Sequence, residues 1–243
     1  FAIASTAGIY GIATEVAFTI KKVRQSFDPI FIPVVSELLK QHKIREIEVH
    51  FKNITRWIFT IDFFILSVFI LAGEFILSIF GNQFTPGFSA MIIIAISVLI
   101  NGSFGVSELF ILIEKPWINI INTAGTIIVS VTLNVLLVPK YGMSGAALSI
   151  AVSYLLMNCA RVFEVFVMYK ISPFSIKFIR TIVAGVISLS IALIFKVLLT
   201  EILYADFVLL FIFSAMFLLL LFLLEASPEV TSFYKNIQRK KNE

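Results

Sequence analysis

Leu133-Asn134-Val135-Leu136-Leu137-Val138-Pro139-Lys140-Tyr141-Gly142-Met143-Ser144-Gly145-Ala146-Ala147 joins two long apolar runs through four residues that end one helix and turn the chain. Pro139 lacks the N–H that a helix interior needs, and Gly142 permits a tight turn. Gly145, Ala146 and Ala147 then start the next helix with small side chains. Small residues let neighbouring helices approach closely, which is how helices pack in lipid. The stretch is a packing signature and marks no substrate contact. It predicts two membrane helices in a hairpin.

The rest of the chain has the same character. Of its 243 residues 59% are hydrophobic and 14% are charged, with a mean hydropathy of +1.02. Soluble domains carry about a quarter charged residues, and a chain this apolar needs lipid as solvent over much of its length. A spanning helix takes roughly 20 mostly apolar residues. Six such runs are plain, at 57–80, 88–113, 117–138, 143–169, 178–199 and 203–224, separated by turn or charge signals such as Gly81-Asn82-Gln83, Glu114-Lys115-Pro116, Ser172-Pro173 and Thr200-Glu201.

A seventh helix is expected over 13–39, although Lys21-Lys22-Val23-Arg24 and Asp28 interrupt it and Pro29 and Pro33 follow. Two readings are open: one spanning helix lining a wet cavity, or two short segments with a polar break. Irregular backbone facing lipid is excluded, which favours the first. The expected fold is therefore an all-α membrane protein with seven transmembrane helices. Its divisions are a polar helix (1–39), a cytoplasmic connector (40–56), helices two to five (57–170), two C-terminal helices (171–225) and a basic tail (226–243).

Basic residues set the orientation. Lys40, Lys43, Arg45, Lys52, Arg56, Lys115, Lys170, Lys177, Arg180, Lys235, Arg239, Lys240 and Lys241 all fall in alternate connections, against Lys140 and Lys196 in the others. This places the N-terminus of the stretch outside and the C-terminus in the cytoplasm, in a multi-pass cell membrane protein. The net charge of +4 is thus a topology signal, and a nucleic-acid partner explains it poorly. In the connector, Ile44, Ile47, Phe51 and Ile54 recur at helical spacing, which suits an amphipathic surface helix or a solvated connector. His42 and His50 lack a third ligand and read as surface residues. Cys159 can form no intrachain disulfide. The chain opens at Phe1 without the basic and small-residue flanks of a signal peptide, and a fragment, or a gene model lacking its upstream half, is expected.

Ionisable groups in a membrane cost roughly 2.5–3.5 kcal/mol each and by default mark a functional pathway. Lys21, Arg24 and Asp28 lie within about 60° of one another on a helix, while Glu15 and Lys22 share another side. A net-positive stripe facing a wet cavity would attract an anion, with Arg fitting phosphate oxygens bidentately and Lys acting as a point charge. The alternative is that these residues snorkel to the cytoplasmic headgroups. Arg161 and Glu164, one turn apart, make an internal ion pair or a second cavity wall. Glu15, Asp28, Asp62, Glu108 and Glu164 are the candidate coupling carboxylates. The loops hold no Gly-rich phosphate loop, nucleophile elbow or paired-carboxylate site, so no enzyme and no cofactor is expected.

Three stretches resemble the polysaccharide and lipid-linked oligosaccharide flippases of the multidrug/oligosaccharidyl-lipid/polysaccharide exporter superfamily. They are Gly8-Ile9-Tyr10-Gly11-Ile12-Ala13 leading to Phe31-Ile32-Pro33-Val34-Val35-Ser36-Glu37-Leu38, then Glu74-Phe75-Ile76-Leu77-Ser78-Ile79-Phe80-Gly81 with Phe84 and Gly87, and the 133–147 hairpin, which is similar to the family's L-N-x-x-L-I-P-x-x-G-x-x-G-A-A. The resemblance covers almost the whole chain. It implies one bundle of a two-bundle, V-shaped flippase plus two extra C-terminal helices, with an N-terminal bundle as partner. It also implies export of a polyprenyl-diphosphate-linked saccharide across the lipid membrane. Lys21, Lys22, Arg24 and Arg161 are then the expected substrate contacts, although no family motif maps onto them. A drug/cation antiporter of the same superfamily is the alternative, and would want an isolated buried acid and a less basic cavity.

Overall fold

The computed structural model describes the backbone of residues 2–198 and 205–241 and the side chains of 5–198 and 206–224. Among these residues every regular element is helical: α1 (Ala2–Phe18), α2 (Lys21–Lys40), α3 (Ile44–Ile79), a 3-10 turn (Asn82–Gly87), α4 (Phe88–Phe104), α5 (Ser107–Glu114), α6 (Pro116–Tyr169), α7 (Ile176–Leu198) and α8 (Ala205–Lys241). Five stretches are long and apolar enough to cross a membrane: Ile44–Ile79, Asn82–Phe104, Pro116–Tyr169, Ile176–Leu198 and Asp206–Leu224. Several apolar helices of this length are consistent with a multi-pass membrane protein.

The hairpin expected at 133–147 is present. α6 runs for 54 residues and would be about 81 Å long if straight, against a hydrocarbon core of about 30 Å. It is not straight. Gly142 has φ 54° and ψ −129°, a conformation that side chains with a Cβ rarely adopt. Beyond it the chain doubles back so closely that a Cβ on Gly145 would meet the backbone of Leu137 and Val138. The two arms run side by side, with Ile121, Asn122, Gly125 and Val129 facing Ser153, Met157 and Ala160 across a groove of about 250 Å³.

The helix expected over 13–39 is two helices instead. α1 ends at Phe18 and α2 begins at Lys21, so the break falls immediately before the basic cluster. α2 continues through Pro29 and Pro33, and its charges (Lys21, Lys22, Arg24, Asp28, Glu37 and Lys40) keep it out of the set apolar enough to cross a membrane. The connector also differs from expectation. Its amphipathic stretch and the following apolar run form one helix, α3, in which Ile47 and Phe51 are fully buried.

Their partner is Phe110 on α5. Its ring lies 4.9 Å from Phe51, 6.2 Å from Phe31 and 6.0 Å from Tyr169, centroid to centroid. Around these rings Val35, Ile58, Ile111 and Val165 fill a core drawn from α2, α3, α5 and the second arm of α6. Such rings bury large apolar areas and favour edge-to-face contacts. The first arm of α6 is the opposite case. Ile120, Ile128 and Val135 are 67–70% exposed, an apolar surface that suits hydrocarbon rather than water.

The chain divides after Pro173, and the remainder forms a second unit. In it α7 buries the small residues Thr181, Ala184, Ser188 and Ala192, and α8 buries Leu209, Phe213 and Phe217. The Phe213 and Phe217 rings stack at 5.5 Å. Arg180 donates to the Leu224 carbonyl at 3.1 Å, tying the start of α7 to the middle of α8. The connection Thr200-Glu201, the expected span start at Leu203, and the side chains of Lys235, Arg239, Lys240 and Lys241 lie outside the described residues.

Candidate functional site

The first turn of α2 carries three cations, Lys21, Lys22 and Arg24, and the fold brings it against α4. Lys21, Arg24, Gln25 and Asp28, spaced to share one face of α2, line a cleft of about 220 Å³ with Asn101 and Gly102 of α4. Two cations and one carboxylate therefore line this space. Lys21 Nζ lies 3.6 Å from the centre of the Phe18 ring, and donates to the Tyr154 hydroxyl at 3.3 Å. An aromatic face and one hydroxyl leave an ammonium proton free for a further acceptor.

Arg24 is held from three sides. Its Nε is 3.6 Å from Asp28 Oδ1, its Nη2 is 3.0 Å from Glu108 Oε2, and it reaches Glu108 by passing over Gly105. A Cβ at Gly105 would collide with the guanidinium. Glu108 in turn accepts from Arg161 Nη2 on its other oxygen at 3.0 Å. Arg161 also donates to Asn119 Oδ1 at 2.8 Å. One carboxylate on the short helix α5 thereby bridges α2 and the second arm of α6. Charge-assisted bonds of this length are among the stronger polar contacts a protein makes.

The sequence-derived candidates separate into groups. Lys21, Arg24 and Asp28 are brought together in the cleft. Lys22 is exposed and does not line it. Arg161 is only 3% exposed and stands behind Glu108, so it positions that carboxylate instead of forming a second wall. Glu164 accepts from Asn122 of the facing arm at 2.7 Å, while Arg161 takes Glu108 as its carboxylate. Glu15 is exposed on α1. Asp62 is fully buried on α3, and both of its carboxylate oxygens lack a hydrogen-bond partner.

Sequence reasoning missed the amides. Asn101, Asn119, Asn122 and Asn158 all contribute, with Asn158 donating to Asn101 Oδ1 at 3.1 Å between α6 and α4. The available signal was an amide inside an otherwise apolar run, a residue type that hydrogen-bonds across membrane helices. Among the described residues no group of His, Cys, Asp and Glu is placed to hold a metal ion. Comparison with protein-family models, curated proteins and solved structures finds no match to this chain.

Proposed function

We propose that this chain is one bundle, with two additional C-terminal helices, of a transporter that flips a polyprenyl-diphosphate-linked saccharide across a cell membrane by alternating access. The observation that carries the reading is the cleft of Lys21, Arg24, Gln25, Asp28, Asn101 and Gly102, a net-positive polar site in a chain of apolar helices. A diphosphate offers several anionic oxygens, which suit a point-charge ammonium beside a planar guanidinium. The saccharide would stay in the aqueous space and the polyprenyl tail in the lipid. On this reading the N-terminal segment α1–α2 and both arms of α6 cross the bilayer, giving seven passes with the N-terminal end outside. The missing half of the cavity is a second bundle.

Glu108 gives the cycle a physical switch. It occupies the Arg24 guanidinium that an anionic substrate would seek, so docking exchanges an internal carboxylate for an external phosphate. The test is flipping of a fluorescent diphosphate-linked saccharide in vesicles holding this chain together with its companion bundle. Arg24→Ala is expected to reduce flipping at least tenfold with unchanged expression, and unchanged flipping would overturn the reading. The alternative, a drug or cation antiporter, draws on Asp62 as an isolated buried acid. It would show transport of a cationic drug that survives Arg24→Ala.

A further inference from the structure

Asp62 sits in the interior of α3 at 0% exposure, and neither of its oxygens has a hydrogen-bond donor. An isolated ionised carboxylate in so apolar a setting is costly enough that such groups take up a proton instead. One neighbour across the helix interface is Gly102. Asp62 Oδ2 occupies the place that a Cβ on Gly102 would take, and Gly102 is also a wall of the Lys21–Arg24 cleft. Gly102 therefore touches both the acid and that polar space. Thr55 Oγ1 lies two turns back on the same face of α3, and Ser103 and Ser107 follow Gly102. All three hydroxyls are buried without a partner.

The charged surroundings are sparse. α4 and the 3-10 turn carry no ionisable residue. α2 presents Lys21, Arg24 and Asp28 to the cleft. Glu108 of α5 and Arg161 of α6 are engaged with each other, and Glu108 also with Arg24. On α3 itself Arg56 lies six positions away, Lys52 ten, and His50 and Glu74 twelve. We infer that Asp62 is an exchangeable proton site, loaded and emptied through the cleft across Gly102. In the step, the carboxylic acid gives its proton to a water of the cleft, leaving carboxylate and hydronium. Reloading is the reverse. Separation of α3 from α4 at Gly102 would wet the acid and permit release, while close packing holds the proton. No other sequence-derived candidate is placed this way: Asp28, Glu108 and Glu164 have polar partners, and Glu15 is exposed.

The inference does not depend on which anion the cleft takes, and its test uses no lipid-linked substrate. The full chain is placed in lipid bilayers and taken from about pH 5 to about pH 9.5, a range that covers buried carboxyl groups, while infrared difference spectra are recorded. A carboxylic-acid carbonyl band is expected at neutral pH, fading as pH rises, and absent in Asp62→Asn but retained in Asp28→Asn. Three results would overturn it: no Asp62-dependent band at any pH, a band that neither titrates nor shifts in heavy water, or a band abolished by sodium at fixed pH. Should Asp62→Asn fail to fold, carbodiimide labelling of the unmodified chain decides instead. Labelling at Asp62 that falls with rising pH supports the site, and an unlabelled Asp62 at every pH removes it.

Discussion

Glu108 Oε1 and Arg161 Nη2 meet at 3.0 Å, a pairing of residues 53 positions apart in sequence. Because Arg161 is 3% exposed and Glu108 is also bound to Arg24, this contact fixes the short helix α5 against both α2 and α6. The bridge holds the wall behind the cleft in one arrangement.

Glu108→Ala is therefore expected to destabilise the chain by about 3 kcal/mol, the cost of leaving a buried guanidinium unpaired. Thermal melting in detergent would show it as a clear fall in Tm. Arg161→Met combined with Glu108→Leu should recover part of the loss, since it removes the buried Arg161 charge while Arg24 keeps Asp28 at 3.6 Å. A Glu108→Ala variant that melts like the parent would show that the bridge carries no weight.

The α3–α4 contact makes a separate prediction. A Cβ at position 102 would collide with Asp62 Oδ2, so Gly102→Ala should cost about 1–3 kcal/mol through overpacking. Shortening the opposing side chain in Gly102→Ala/Asp62→Ala should return part of it, a coupling of about 0.5–3 kcal/mol in a double-mutant cycle. Additive losses would contradict the packing described.

The hairpin is tested by distance. Gly125 and Met157 line one groove between the arms of α6, whereas a straight helix would hold them about 48 Å apart. Cys159 is free and exposed, so Cys159→Ser is the background. A short bifunctional maleimide should join cysteines placed at 125 and 157. Gly142→Ala, at a φ of +54°, should lower stability by about 1–3 kcal/mol.

That hairpin was legible because its signals are local. Gly142 supplies a positive φ whatever lies elsewhere in the chain, although the helix runs on through Pro139, where the sequence reading ends it. The apolar runs were legible for the same reason. The break between Phe18 and Lys21 was less so, since Thr19 and Ile20 are ordinary helix residues and the prolines, at 29 and 33, drew attention to the wrong turn. The union of the connector with the next apolar run in α3 was hidden by the charge pattern at 43–56, which fits a surface helix equally well. Side-chain partners were least legible. The spacing of Lys21, Arg24 and Asp28 placed them on one face, but nothing local says that Arg24 crosses Gly105 to reach Glu108. Nor does the interval between Arg161 and Glu164 reveal that Arg161 takes Glu108 of α5 as its carboxylate while Glu164 pairs with Asn122. Such pairings are set by how whole helices pack.

The cross-helix amide bond is a smaller test. Asn158→Leu would remove the 3.1 Å bond to Asn101, and double-mutant work on membrane helices puts such bonds near 0.6 kcal/mol, reaching about 1.7. Denaturation by mixed detergents should show a loss in that range. A loss above about 3 kcal/mol would mean Asn158 does more than join α6 to α4.

The most direct measurement of the central claim, that Lys21 and Arg24 face a wet anion site, is thiol chemistry at Gln25. Gln25 lines the cleft and Ile120 is 70% exposed on the apolar arm of α6. In a Cys159→Ser background, Gln25→Cys should react in intact membranes with a water-soluble anionic thiol reagent faster than with its cationic counterpart. A polyprenyl diphosphate should slow that reaction, and Ile120→Cys should stay unlabelled. Equal rates for the two reagents, with no protection by the diphosphate, would contradict the account.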